Sequence, residues 1–234
     1  MNKITIILPT LNEEKNVSKI VTEIKNKFNF KYYSILFVDD GSTDNTKNEI
    51  IELKKQNTNV DYLFRVNDKD ISRAFIEGLK KTESKYVILM DSDLQHDISN
   101  LNLLIKYLDT EIEFINGSRF LNKSFIFKDY LYNFGRINIS KLFIFTIKKL
   151  LNINLSDPLS GFFMIKRDIV LLHEKKIYKN GWKIMLDIYL GTKNLIKFKE
   201  IPIKINKRLE GQSKISLKVV IDLIKLINFH LKND

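Results

Sequence analysis

Asp91-Ser92-Asp93 places two carboxylates two residues apart, directly after the apolar run Tyr86 to Met90. Carboxylates near a protein interior are costly unless cations or hydrogen-bond donors compensate them. Hard oxygen ligands of this kind suit Mg2+ or Mn2+, ions that keep coordination positions for phosphate oxygens and water. Asp91 and Asp93 are therefore candidate metal ligands, and Gln95 can add a neutral amide oxygen. An isolated Asp-x-Asp also serves as a solvated turn or a helix cap, so the pair alone does not establish a metal site. A second acidic cluster, Asp39-Asp40-Gly41-Ser42-Thr43-Asp44, is suited to a nucleobase and ribose, or equally to an Asx turn with a helix cap.

Both clusters need elements that deliver them to one place. Ile4 to Leu8, Tyr33 to Val38 and Tyr86 to Met90 are apolar throughout, as buried strands are. Val60 to Arg65 is a further strand candidate. Between them the apolar spacing predicts helices: one after a cap at Asn12, with Val17, Ile20, Val21 and Ile24 on one face, one from Thr43 to Lys55, and one from Ile71 to Lys81. Alternating strands and helices predict βαβ units, hence a Rossmann-like α/β fold with a mostly parallel sheet covered on both faces. Ligands of such sheets bind beyond the carboxyl ends of the strands. The segments there are Pro9 to Glu13, Asp39 to Ser42 and Asp91 to Asp93. Later in the chain, Asn116 to Arg119 ends a short strand and residues 129–151 read as helical. Asp157 to Phe162 is a loop, Gly181 precedes a helix to Leu190, and Leu195 to Lys204 is a strand that Pro202 places at an edge. A last helix spans Ser216 to Leu231.

The 234 residues contain no cysteine, which excludes disulfides and thiolate chemistry. Charge divides the chain unequally. Residues 1–116 hold 16 Lys/Arg against 19 Asp/Glu, a net of −3, and residues 117–234 hold 23 against 9, a net of +14. An anionic partner on the second half follows: a phosphorylated substrate, a phospholipid surface or nucleic acid. No nucleic-acid motif is present, so nucleic acid is not the expected partner.

Seven short segments, in order from about residue 4 to 214, are similar to one pattern. They are Pro9-Thr10-Leu11-Asn12-Glu13, Val38 to Asp44, Met90 to His96, Gly117-Ser118-Arg119-Phe120, Asp157 to Phe162, Gly181-Trp182-Lys183 and Arg208 to Lys214. Together they resemble glycosyltransferase family 2, and within it the polyprenol-phosphate (dolichol-phosphate mannosyltransferase-like) sugar transferases. The resemblance implies a GT-A domain over 1–214, with a nucleotide-binding half (1–116) and an acceptor half (117–214); the residues after it, 215–234, read as a C-terminal amphipathic helix. It implies inverting transfer of a hexose from GDP-mannose or UDP-glucose to a polyprenyl or dolichyl phosphate, with Mg2+ or Mn2+ held by Asp91, Asp93 and Gln95. The nucleotide sugar would meet Pro9, Leu11, Glu13, Val38, Asp40, Asp91, Ser92, Asp93, Gln95, Arg119, Lys183, Arg208 and Lys214. Asp93, Arg119 and Arg208 would be catalytic, and Arg119 and Arg136 would hold the acceptor phosphate. Three departures bear on the sugar and nucleotide: Asp187 where glutamate is frequent, Phe163 where arginine is frequent, and Asp70 to Ala74 in place of a more glycine-rich loop.

No late Glu-Asp pair offers itself as a general base, which fits an acceptor that is already an ionised phosphate. A lipid acceptor requires contact with a membrane. No apolar run reaches the about 20 residues of a span, so a peripheral position on the cytoplasmic face is expected, through the last helix, the 129–151 segment or a separate membrane subunit. On the last helix Leu217, Val220, Ile221, Ile224, Ile227 and Leu231 form the expected apolar face, and Lys218, Asp222, Lys225 and Lys232 the polar stripe. Packing of that helix on the core is the equal alternative. His96 is a capping residue or a support for the acidic pair, and His173 and His230 have no assigned role. Two other readings stay open: a family 2 enzyme acting on a surface polysaccharide or glycoprotein glycan, and a non-enzymatic module binding anionic lipid or nucleic acid.

Overall fold

The computed structural model describes residues 3–66, 69–121, 144–206 and 217–233. Arg136, Arg208, Lys214 and most of the helix expected over 129–151 lie outside the described residues. The apolar runs form parallel strands β1 (Ile4–Thr10), β2 (Tyr33–Asp39), β3 (Val60–Phe64) and β4 (Tyr86–Leu89). Because successive side chains point to opposite faces, each strand feeds two cores. Ile4, Ile6, Leu8, Ile35, Phe37 and Ile88 pack on one face, under helices α1 (Val17–Lys27) and α2 (Thr46–Gln56) and the short α4 (Leu101–Leu104). Ile7, Leu36, Val38, Val87 and Leu89 pack on the other, under α3 (Ile71–Lys81). The four apolar positions expected on α1 are all buried there.

Three more strands extend the sheet: β5 (Phe114–Ser118), β6 (Phe163–Lys166) and β7 (Phe198–Pro202), giving the order β3-β2-β1-β4-β6-β5-β7. Strand β6 was not foreseen; four residues are too few to show a period. It runs antiparallel to both β4 and β5, so β5 points the same way as β4. The carboxyl end of β5 therefore reaches the same rim as Asp91. So does the amino end of β6, where Leu89 pairs with Phe163. Strand β7 lies at the edge, as Pro202 required.

Helix 144–150 (α5), α6 (Arg167–Leu172), α7 (Ile184–Thr192) and α8 (Leu217–Asn233) complete the described helices. The second core takes in Ile147 of α5, Ile184 to Leu190 of α7, and Leu223 and Leu226 of α8. Helix α8 buries only part of the apolar face expected of it, with Ile227 packed against the second core. Leu223, Leu226 and His230 turn inward, while Ile221, Ile224 and Leu231 are exposed beside Lys225 and Lys232. His230, given no role from sequence, is a core residue.

The expected cap at Asn12 is also corrected. Asn12 takes a left-handed conformation (φ 57°), which asparagine tolerates, and its Oδ1 accepts the Thr43 N–H at 2.8 Å. The side chain thus ties the β1 loop to the β2 loop, and α1 begins later, at Val17. Helix α2 likewise begins at Thr46 rather than Thr43, because Asp44 Oδ1 takes the Thr46 N–H at 3.1 Å in an Asx turn.

At the ends of β2 and β3 the chain buries an ion pair. The Arg65 side chain is 3% exposed and places Nη1 2.5 Å from Asp40 Oδ1 and Nη2 3.2 Å from Glu77. Burial opposes its charge, but Asp40 and Glu77 outweigh that and hold the guanidinium more firmly protonated than usual. Removing one partner of such a pair leaves a buried charge uncompensated. Arg65→Met is therefore expected to lower unfolding stability by about 3–5 kcal/mol, read as a fall in the urea midpoint with an unchanged slope.

Candidate active site

Strand β4 ends at Leu89, and Asp91 follows at the rim with its side chain 42% exposed. Ser92 is buried and donates its hydroxyl to the Pro9 carbonyl at 2.9 Å, which fastens the acidic loop to the end of β1. Asp93 Oδ1 accepts the Gln95 N–H at 3.1 Å, a tight turn that lets Leu94 adopt φ 60°. His96 is buried, stacks on Phe162 (centroids 5.2 Å apart, planes at 30°) and sets Nε2 3.6 Å from Asp91 Oδ2. It supports the acidic pair rather than capping a helix; the cap of the next turn is Asp97.

The loop before β6 closes on Asp91 from the other side. A β-carbon on Gly161 would lie 3.0 Å from Asp91 Oδ2, so any side chain there would press on the carboxylate. On the same loop Asp157 is fully buried. Its carboxylate accepts Arg119 Nε at 2.6 Å and Nη2 at 2.8 Å, a two-pronged fork, with the Arg119 main-chain N–H at 3.2 Å. Glu200 on β7 holds that loop in turn. It accepts the Ser156 N–H at 2.7 Å, the Asp157 N–H at 3.3 Å and the Asn116 side-chain amide at 3.0 Å. Lys183, at the start of α7, donates to the Leu159 carbonyl at 3.3 Å.

These groups share one field. Partial burial pulls the Asp91 carboxyl up, but the approach of His96 and the charges of Lys183 and Arg119 outweigh it and leave it below the usual carboxylate range. Burial works against the Arg119 charge, and the fork with Asp157 more than offsets it, with Asp91 adding to the effect. Burial and the neighbouring Arg119 lower Lys183 from the usual lysine value, against the pull of Asp91 and Asp157. Asp91 is thus faced by the Arg119 guanidinium and the Lys183 amine, a layout suited to an ion-bridged diphosphate. Among the described residues no three acidic or imidazole groups cluster as a closed metal cage. Asp91 and Asp93 flank Ser92 in the segment that follows β4, and Gln95 is joined to Asp93 through its main-chain N–H.

Of the remaining described candidates, Pro9, Leu11, Glu13 and Asp40 follow or end strands β1 and β2, whereas Val38 does not reach the rim with its side chain. Glu13 Oε2 accepts the Asn16 side-chain amide at 2.5 Å, and its N–H donates to Thr46 Oγ1 at 2.8 Å. Leu11 is half-buried. Asp40 accepts Arg65 on one oxygen and the Asp70 N–H (3.1 Å) on the other. Asp39 closes an Asx turn with the N–H groups of Gly41 and Ser42 at 3.2 and 3.0 Å. Pro9 is buried at the end of β1. The Val38 side chain packs in the core against α3, under Gly78. Asp157, Glu200, Gly161 and Arg65 complete the site's framework without having been singled out from sequence as site residues. Asp157 and Gly161 sat inside a quoted segment, whereas Glu200 and Arg65 carry no local signal, since the carboxylates that meet Arg65 lie 12 and 25 positions away and the partners of Glu200 43 to 84.

Residues 5–171 match the family model described as glycosyl transferase family 2. The chain is 28% identical over 229 residues to a dolichol-phosphate mannosyltransferase of Pyrococcus furiosus, covering 96% of this chain and 62% of the relative. It is 28% identical to the dolichol-phosphate mannosyltransferase of Saccharomyces cerevisiae, over 94% of this chain and 84% of the relative. The chain therefore spans somewhat under two thirds of the length of the archaeal relative. Among solved structures, glucosyl-3-phosphoglycerate synthase from Mycobacterium tuberculosis, in complex with Mn2+, UDP-glucose and phosphoglyceric acid, superposes with a TM-score of 0.70 at 17% identity, over 97% of this chain and 80% of that one. That likeness is one of fold, the GT-A type expected from the motifs. By the match of its sequence over most of its length, this chain belongs to glycosyl transferase family 2.

Proposed function

We propose that this chain transfers a hexose from a nucleotide-diphosphate sugar to a polyprenyl or dolichyl phosphate, with inversion at the sugar. The observation that carries this reading is the facing of Asp91 by Arg119 and Lys183, the first held by its fork on Asp157. In the reaction a phosphate oxygen of the acceptor attacks the anomeric carbon, the bond from that carbon to the diphosphate breaks, and the nucleoside diphosphate leaves with the electron pair. Arg119 and Lys183 balance negative charge as it gathers on the leaving group, and they are oriented before the reaction starts, which is where fixed cations gain most. Mg2+ or Mn2+, held by Asp91, Asp93 and Gln95, would supply Lewis-acid neutralisation of the diphosphate. An ionised phosphate needs no proton removed, so no general base is required of the chain. The names of the archaeal and yeast relatives support a dolichyl phosphate acceptor and favour mannose from GDP-mannose. The exposed Ile221, Ile224 and Leu231 beside Lys225 and Lys232 on α8 support a position on the cytoplasmic face of a membrane. Among the described residues no helix is long and apolar enough to cross one.

Incubation with labelled GDP-mannose or UDP-glucose, dolichyl phosphate and Mn2+ is expected to move label into the organic phase, with Asp91→Ala reducing the rate by at least about a hundredfold. Label that moves instead into a water-soluble glycan, or an Asp91→Ala variant near wild-type rate, overturns the reading. Asp157→Asn releases half of the charge-assisted fork on Arg119 and is expected to cost roughly tenfold to a hundredfold in kcat/KM, mainly in kcat. Gly161→Ala crowds Asp91 and is expected to weaken Mn2+ binding, measured by calorimetry in the presence of nucleoside diphosphate.

A further inference from the structure

Lys183 reaches the rim from a loop, Tyr178 to Lys183, whose backbone is left-handed at Lys179 (φ 61°) and at Gly181 (φ 92°). A lysine in that conformation is strained and persists only where its surroundings over-determine it. They do so from two sides. On the nucleoside side, Asp70 caps α3 with one oxygen and with the other accepts the Gly181 N–H at 2.7 Å, and the Ser72 N–H donates to the Gly181 carbonyl at 3.0 Å. Asp70 in turn gives its own N–H to Asp40. On the far side, Asp187 of α7 is fully buried and accepts the N–H groups of Tyr178 at 2.9 Å and Lys179 at 2.8 Å. Its Oδ1 takes a third bond from His230 Nε2 of α8 at 2.8 Å, and His230 is 5% exposed. Helix α8 also lies against the loop tip: a β-carbon on Gly181 would sit 3.1 Å from Asp222 Cβ. Tyr178 packs its ring 5.3 Å from Phe229.

We infer that His230 is a positioning residue for the donor site, acting through Asp187 on the loop that carries Lys183. A buried carboxylate that holds two main-chain N–H groups needs its remaining capacity filled, and His230 fills it from a helix 43 positions away. The C-terminal helix, which lies beyond the segment matched by the family model, is then part of the machinery that sets Lys183. The Lys183 arm of this inference rests on the proposed reading of that lysine as a diphosphate ligand; the loop arm rests on geometry alone.

Three variants separate positioning from mere stability. His230→Leu removes the bond to Asp187 and keeps an apolar filling. His230→Gln keeps an amide N–H at similar reach. Leu223→Ala weakens the packing of α8 without touching Asp187 and serves as the stability control. Amide hydrogen exchange over residues 178–183, measured well below each melting temperature, is expected to speed up in His230→Leu, to recover in His230→Gln and to stay at the wild-type rate in Leu223→Ala. GDP or UDP binding with Mn2+ by calorimetry is expected to weaken about tenfold in His230→Leu alone. Unchanged exchange in His230→Leu, or equal loosening in His230→Leu and Leu223→Ala, overturns the inference. If the wild-type chain binds neither nucleotide, the proposed function falls, and the exchange rates still decide whether His230 holds the loop.

Discussion

Carboxylates gathered at the end of a buried sheet must each find a cation or a set of N–H donors, and this requirement organises the molecule. Asp39 closes on its own turn, Asp40 on Arg65, Asp70 on Gly181, Asp157 on Arg119 and Asp187 on His230. Apart from Asp39, each finds its partner on a different element, so satisfying the charges also locks the elements together. The buried acids that are compensated within the chain act as framework. Asp91 differs: it is partly open, and the cations nearest to it are committed elsewhere, Arg119 to Asp157 and Lys183 to a carbonyl. Asp91 thus lies among positive charge without being closed off by it, as the proposed binding of an ion-bridged diphosphate needs.

The unequal charge of the two halves takes on a spatial meaning in the sheet. The acidic first half supplies β1 to β4 and their carboxylate loops. The basic second half returns through antiparallel β6 and brings Arg119 and Lys183 over the same rim. A purely parallel arrangement would send the Asp157 to Phe162 loop to the opposite end of the sheet. The single reversal of direction places Gly161 against Asp91 and Asp157 beneath Arg119.

Helix α8 contributes in two directions. Its inner face, Leu223, Leu226 and His230, closes the second core and reaches Asp187, while its outer face leaves Ile221, Ile224 and Leu231 uncovered. The histidine sits at the spacing of the two leucines, one and two turns on, and that register, not its chemistry, was the available clue to its burial.

Local pattern was enough for much of this. Continuous apolar runs marked β1, β2 and β4, because strands buried on both faces cannot alternate, and the acidic residues stood directly after those runs. The helical period of Val17, Ile20, Val21 and Ile24 marked α1 for the same reason. These readings depend on neighbours within a few residues. The four-residue β6, the turn at Asn12, the Arg65 pair, the support of the Asp157 loop by Glu200 and the role of His230 depend on partners tens of positions away. A hydrogen bond or ion pair of that kind leaves no periodic trace in the chain, since its second half is defined only when the sheet order brings two distant segments within about 3 Å. Residue type and spacing could therefore mark the Asp91 rim as a candidate site, while packing alone settled which groups face it and which groups hold them there.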